Sequence, residues 1–324
     1  FLYAQGYRAS DRVFLPFGYN IFVAFWAGHY GAEKLGCEVI PGGILNTEAR
    51  ILKMQELKCT AFMSTPTYAL HMADVARNRL GLDPAEDLRI RRIMTAGESG
   101  GAIPTTKKRI EEAWGAKVYD HIGLTEVGSW SYECTEQPGG QHVLEAFFLV
   151  EIEDMETGEI IEKPGREGKM VITSFDRLAK PSIRFDTKDV IRWADYDCGC
   201  GRTFRLIDGG IIGRADDITK VKGVLFAPTA VEEVVRSFPE LGNEFEIVVD
   251  KKGDMDDILL NVELVQGKED EKESILSRLG AQLRLKTNLG YRIECHPFES
   301  LPRYEFKAKR FKDLRKKGDE NDGT

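Results

Sequence analysis

The chain has 324 residues, 42% of them apolar, and its 53 acidic against 45 basic side chains leave a formal charge of −8. That length exceeds one small core and suits two domains, or one large domain with a smaller one attached. The acidic balance disfavours non-specific attraction to nucleic acid or an anionic membrane, so the expected partner is a small molecule. No apolar stretch approaches the roughly 18 residues a spanning helix needs, and no charged-then-apolar leader opens the chain, which makes a cytoplasmic location the expectation. Six cysteines, at 37, 59, 134, 198, 200 and 295, lack the spacing of a secreted disulfide framework and are read as reduced. The sequence starts at Phe1 rather than Met and runs at once into "RVFLPF", as if cut from something longer.

From Asp11 to Gly128, apolar strand candidates alternate with helical patterns. "RVFLPF" precedes an aromatic-rich helical stretch near 21–30, "CEVIP" precedes "NTEARILKMQELK", "CTAFMST" precedes "PTYALHMADVARNRL", and "IRRIMTAG" precedes "PTTKKRIEEAWG" and then "KVYDHIG". Short apolar runs separated by periodic helices imply crossover units and a largely parallel sheet, with ligands at the carboxyl ends of its strands. Both "TAGESGG" and "HIGLTEVG" fall at such ends. Between about 140 and 212, alternating runs such as "FFLVEIED", "GKMVITSF" and "SIRFDTKDVIRW" predict a small antiparallel sheet or barrel. After "GRADDITKVKG", Thr229 and Glu232 read as a capping box opening a helix whose Val231, Val234, Val235 and Phe238 share a face. A hairpin, a charged helix near 268–285 and the strand "YRIECHPF" complete a compact α+β domain.

Four runs carry the chemistry: "GLTE" at 123–126, "RFDTKD" at 184–189, "GRADDITKVKG" at 213–223 and "LPRYEFKAKR" at 301–310. In this order and spacing the chain resembles the adenylate-forming enzymes, the superfamily of acyl- and aryl-CoA synthetases. "FGYNIFVAFWAGHYGAEKLGCEVIPGG", "STPTYAL", "GQHVLE" and "CGCGRT" resemble its phenylacetate-CoA ligase branch, and the resemblance covers nearly the whole chain. It implies an α/β fold with a large adenylating domain, of which residues 1–213 are the C-terminal portion, a hinge at 214–217, and a small mobile domain over 218–324. The implied reaction joins a carboxylic acid to ATP as an acyl-adenylate and then passes the acyl group to CoA.

The same resemblance assigns residues. Thr125 contacts the α-phosphate of ATP and Glu126 holds Mg²⁺, a hard cation that favours carboxylate and phosphate oxygens. Gly97 and Glu98 form the floor of the adenine and acyl pocket. Ile122 and Gly123 stand where the family has Tyr-Gly against adenine, so an aliphatic side chain replaces the aromatic one. Asp189 accepts hydrogen bonds from the ribose diol, as an ionised carboxylate can, or else caps a strand end. Arg214 reaches ribose and phosphate, and Asp216 is the hinge; the competing reading is a surface turn with ion pairs. Asp186 takes the place of a second family Arg. Lys307 matches the lysine that offsets charge when carboxylate attacks phosphate, with Phe306 replacing Gly and with Lys309 or Lys312 as rivals in the same basic run.

The residues themselves suggest a metal site. Cys134, His142, Cys198 and Cys200 supply three thiols and one imidazole, a set suited to tetrahedral structural Zn²⁺; the alternative is scattered buried thiols with one satisfied histidine. Tyr19 and Phe22 are the best candidates among the aromatics of 14–26 for an aryl-acid pocket, and helix packing on a sheet would explain them equally. A Ser/Thr/Gly-rich phosphate loop followed by Lys is not found in these 324 residues, which predicts slow or no pyrophosphate release by them alone. The reading is an AMP-forming aryl- or acyl-CoA ligase using ATP, Mg²⁺ and CoA on a small carboxylic acid, aromatic favoured, with a homodimer left open. An AMP ligase with another acceptor, or a non-catalytic zinc-containing fragment that binds nucleotide or a partner chain, are the alternatives.

Overall fold

A computed structural model describes residues 1–19, 23–216, 219–222, 224–252, 255–304 and 308–315. The chain divides into two compact units, Phe1–Ala215 and Asp216–Thr324.

The first unit alternates strands and helices as their periodicity predicts: β1 (Arg12–Leu15), α1 (Val23–Leu35), β2 (Glu38–Pro41), α2 (Thr47–Glu56), β3 (Ala61–Ser64), α3 (Pro66–Leu80), the short α4 (Pro84–Asp87), β4 (Arg92–Thr95), α5 (Pro104–Trp114) and β5 (Lys117–Leu124). Local chemistry sets the boundaries. Asn46 and Thr65 cap α2 and α3 through side-chain oxygens that accept from Ala49 N–H and Tyr68 N–H, Pro66 and Pro104 occupy first-turn positions, and Gly81 and Gly115 end α3 and α5 in the left-handed region.

The five strands pair in parallel in the order β2-β1-β3-β4-β5. Successive side chains point to opposite faces, and the inner strands β1, β3 and β4 bury both faces, while the edge strand β2 is half-buried or exposed. Phe14, Phe62, Ile93 and Val118 meet α2, α3 and α5 on one side, where the Trp114 ring packs tilted with its centroid 4.6 Å from that of Phe62 and its indole N–H donates to Ala69 O at 3.0 Å. Val13, Leu15, Ala61, Met63 and Met94 pack with Tyr7 and Ala32 of α1 on the other.

The chain then turns antiparallel earlier than its texture indicates. β5 doubles back into β6 (Gly128–Cys134), followed by β7 (Gln137–Val143), β8 (Phe148–Glu153), β9 (Glu167–Ser174), β10 (Phe185–Arg192), β11 (Leu206–Asp208) and β12 (Gly213–Arg214). β6, β7 and β11 extend the parallel sheet to eight strands, and only β12-β10-β9-β8 form the separate antiparallel sheet. The run 121–134, which resists assignment by composition, is a strand–turn–strand hairpin whose glycines lie at its turn: a Cβ on Gly123 would sit 3.2 Å from Gly128 O.

The second unit carries β13 (Thr219–Val221), β14 (Val224–Phe226), α6 (Pro228–Arg236), β15 (Leu241–Lys252), β16 (Met255–Leu264), α7 (Lys272–Thr287), β17 (Arg292–His296) and β18 (Phe311–Asp313). Its four-stranded sheet has the order β17-β16-β15-β18; Val231, Val234 and Val235 share the buried face of α6, and Phe238, expected on that face, follows the helix's end and joins the same core. The expected capping box is displaced: Ala227 is the N-cap and Pro228 the first helical residue, so Thr229 lies inside the first turn. Proline's fixed φ starts the helix two residues earlier than the Thr/Glu spacing indicates. No helix among the described residues is long and apolar enough to cross a membrane.

Candidate active site

The carboxyl ends of β4 and β5 bring two of the singled-out loops together. After β4, Gly97 adopts φ +93 and Glu98 turns back, its Oε1 accepting from Thr67 N–H at 2.7 Å in the first turn of α3. After β5, Thr125 and Glu126 form the turn into β6. This turn is anchored through its backbone: Thr125 O accepts from Arg177 Nη1 at 3.0 Å and Glu126 O from Ser182 Oγ at 2.9 Å. Thr125 is exposed and Glu126 half-buried, so the structural duty falls on carbonyls while a hydroxyl and a carboxylate project from a fixed turn. Ile122 is 6% exposed and lies in the core with Trp130 and Val143, so its side chain serves packing beneath the hairpin.

What joins the two loops was not legible in sequence. Asp120, wholly buried one residue before His121, accepts from Thr95 Oγ1 at 3.2 Å and from Gln141 Nε2 at 2.7 Å. Burial and the neighbouring Glu133 carboxylate push its carboxyl well above the usual range. Glu133 in turn receives Lys107 Nζ on both oxygens at 2.8 and 2.7 Å, Asp120 N–H at 2.7 Å and Gly139 N–H at 2.6 Å. Gly101 is required beside this network, because a Cβ there would lie 2.2 Å from Asp120 Oδ1. Lys107 reads as one more surface charge in "PTTKKRIEE", and only the fold reveals its partner.

Asp189 and Arg214 face one another in register across β10 and β12, with Arg214 Nη1 3.3 Å from Asp189 Oδ1. Lys188 just before it has φ +65 within a bulge that shifts the register between Asp186 and Val190, and such bulges re-aim a side chain. Asp186, standing where the family has Arg, is bridged by Lys169 at 3.0 Å and Lys188 at 2.7 Å; burial opposes its ionisation, yet those hydrogen bonds bring its carboxyl down to about 2. Asp216 is the first residue of the second unit.

Tyr19 is half-buried, its hydroxyl 2.6 Å from His29 Nδ1 and its ring 4.8 Å from Trp26. Burial and Glu33, which pairs with His29 Nε2 at 3.2 Å, push the phenol up to about 12. Phe22 and Lys307 lie outside the described residues.

Cys134 at the end of β6, His142 on β7 and Cys198 and Cys200 before β11 converge. Their four ligand atoms lie within 4.8 Å of one another, with Cys134 Sγ 3.5 Å from Cys198 Sγ and Cys200 Sγ 3.3 Å from His142 Nε2. Tetrahedral zinc with Zn–S near 2.3 Å separates its ligands by roughly 3.8 Å, so these spacings fit the ion.

Comparison with known proteins agrees with this architecture. Residues 223–315 match the family described as the AMP-binding enzyme C-terminal domain. A phenylacetate-coenzyme A ligase of Pseudomonas putida is 32% identical over 314 residues, covering 94% of this chain and 69% of its own length. One from Aromatoleum evansii is 35% identical over 330 residues, covering 97% of this chain and 71% of its own. A crystal structure of 2-hydroxyisobutyryl-CoA ligase in the postadenylation state with 2-HIB-AMP superimposes with a TM-score of 0.91 at 27% identity, over 97% of this chain and 67% of that one. The chain belongs to the phenylacetate-coenzyme A ligase family of adenylate-forming enzymes.

Proposed function

We propose that the protein is an AMP-forming ligase that activates a small, preferably aromatic, carboxylic acid with ATP and transfers the acyl group to CoA. The observation that carries this reading is the backbone-anchored turn presenting Thr125 and Glu126 at the carboxyl end of β5, linked through Asp120 to the Gly97–Glu98 loop. In this reading Thr125 donates its hydroxyl to the α-phosphate and Glu126 offers carboxylate oxygen to Mg²⁺, which screens phosphate charge when bound. Asp189 accepts from the ribose hydroxyls, with Arg214 beside it for the phosphate. Gly123 borders the adenine site while the Ile122 side chain packs in the core beneath it, and Tyr19 and Phe22 bound the acid pocket. Lys307 neutralises the carboxylate and phosphate as they meet, and Asp216 is the hinge between half-reactions.

Zn²⁺ is assigned a structural role on Cys134, His142, Cys198 and Cys200, because four protein donors leave no coordination position for substrate. The functional test is acid-dependent pyrophosphate release with ATP and Mg²⁺ over a panel of aryl and alkyl acids, by these residues alone and with an upstream phosphate-loop segment joined to them, which should restore it, followed by thioester detection with CoA. Adenylate that forms but is indifferent to CoA would instead identify a ligase with another acceptor.

A further inference from the structure

The Cys/His cluster and the buried polar network beneath the Thr125–Glu126 turn share two strands and alternate along both. On β6, Ser131 and Glu133 point to the network, while Tyr132 and Cys134 point to the opposite face. There the Tyr132 ring lies 5.4 Å from that of His142 and packs with Cys198 and Leu206. On β7, Gln141 reaches Asp120 and the next residue, His142, reaches Cys200. Cys134 therefore stands back to back with Glu133, and His142 with Gln141.

The backbone alone does not hold these residues in place. Tyr132 pairs with His142 and Cys134 with Gln137, so between the two pairs Glu133 alone faces residues 138–141. Such a bulge interrupts the ladder and re-aims side chains. Cys134 and His142 occupy paired positions on either side of the interruption. An ion held by them with Cys198 and Cys200 closes it on one face, and Glu133 closes it on the other by accepting from Gly139 N–H at 2.6 Å. Beyond β11, Gly210 comes so close that a Cβ there would lie 3.1 Å from Gln141 Nε2.

We infer that the metal at Cys134, His142, Cys198 and Cys200 positions Glu133 and Gln141 against Asp120, and so sets the adenylation turn from the far face of the sheet. The inference rests on the zinc assignment and on the ligase reading. Glu133 receives Asp120 N–H at 2.7 Å and Gln141 donates to Asp120 Oδ2 at 2.7 Å, on the strand that ends in the Thr125–Glu126 turn. A tetrahedral ion fixes the mutual orientation of its ligands, and the residues next to two of those ligands inherit that order. Glu133 and Gln141 are positioning residues, acting through Asp120. The metal then has a second duty besides joining β6 and β7 to the loop before β11: it holds a catalytic turn on a strand that carries none of its ligands.

The test reads amide exchange, metal affinity and rate. Stripping zinc from the loaded protein with a chelator should accelerate exchange at Asp120 N–H and across 121–126 about 10-fold or more, while β1, β3 and β4 stay protected. Gln141→Met keeps the side-chain length and removes its hydrogen bonds. Coupling is reciprocal, so this variant should hold zinc about 10-fold more weakly in competition with the chelator, and that measurement stands even if the stripped protein unfolds. With an upstream phosphate-loop segment joined to the chain, stripping zinc should slow pyrophosphate release with phenylacetate, ATP and Mg²⁺ roughly 10- to 100-fold, and added Zn²⁺ should restore it. In the Gln141→Met background the same stripping should cost much less, because the link is already cut. Faster exchange confined to β6, β7 and 194–205, equal zinc affinity in Gln141→Met and wild type, or the same fold-loss in both backgrounds would overturn the inference, as would a protein that takes up no zinc. A zinc-loaded protein that releases no pyrophosphate with any acid would refute the ligase reading instead, since exchange and affinity still decide the coupling.

Discussion

Glu126 sits on a turn whose two carbonyls are already bound by Arg177 and Ser182, so replacing its carboxylate should leave the turn in place. Glu126→Gln is therefore expected to raise the Mg²⁺ requirement of adenylation about 10-fold or more, as loss of a carboxylate from a hard-cation site does, without altering thermal stability. An unchanged Mg²⁺ titration would place the ion on another carboxylate. Asp120 makes the opposite kind of prediction, one read in stability. Its carboxyl is raised from 3.8 by burial and by Glu133, so folding takes up a proton at pH values between the unfolded and folded positions. The stability it contributes is complete below the unfolded value and is lost as pH rises through the folded one. Asp120→Asn cannot ionise, so its unfolding free energy relative to wild type should climb above pH 4, by at most about 1.4 kcal/mol per pH unit. Denaturant unfolding of both proteins across pH 4 to 8 measures this, and parallel curves would show that Asp120 ionises in the fold as freely as outside it.

At the scale of elements, the convergence of Cys134, His142, Cys198 and Cys200 ties β6 and β7 to the loop that enters β11. Purified protein should hold one zinc per chain by elemental analysis. Cys198→Ser should lower both the zinc content and the thermal midpoint, since a structural zinc contributes several kcal/mol to folding. A metal-free protein of undiminished stability would contradict the assignment. The same elements show how far the sequence can be read. Alternating apolar strands and capped helices make the parallel sheet legible from "RVFLPF" to "KVYDHIG", because each element carries its own period and its own boundary residues. The switch of β6, β7 and β11 onto that sheet is not legible: an antiparallel strand has the same alternation whichever sheet it joins, and pairing is decided by contacts distant in sequence. The buried Lys107–Glu133–Asp120 network is hidden for the same reason, since its members are separated by 13 residues or more. The Cys/His group could be recognised because thiols and imidazole announce themselves by type.

For the molecule as a whole, family membership and the strand-end loops converge on one chemistry, adenylation followed by thioester formation. The two units divide between Ala215 and Asp216, where "GRADD" occurs in the sequence. If that junction acts as the hinge, Asp216→Pro should slow CoA-dependent release of AMP more than adenylation, because proline fixes one of the backbone angles through which a hinge moves. The central claim is tested most directly by joining an upstream phosphate-loop segment to these 324 residues, incubating the protein with ATP, Mg²⁺ and phenylacetate, with and without CoA, and following acyl-adenylate, AMP and thioester by mass spectrometry. The account predicts acid-dependent acyl-adenylate in the absence of CoA, and its conversion to acyl-CoA and AMP when CoA is added. Phenylacetyl-CoA formed together with ADP and phosphate, with no adenylate at any time, would contradict it.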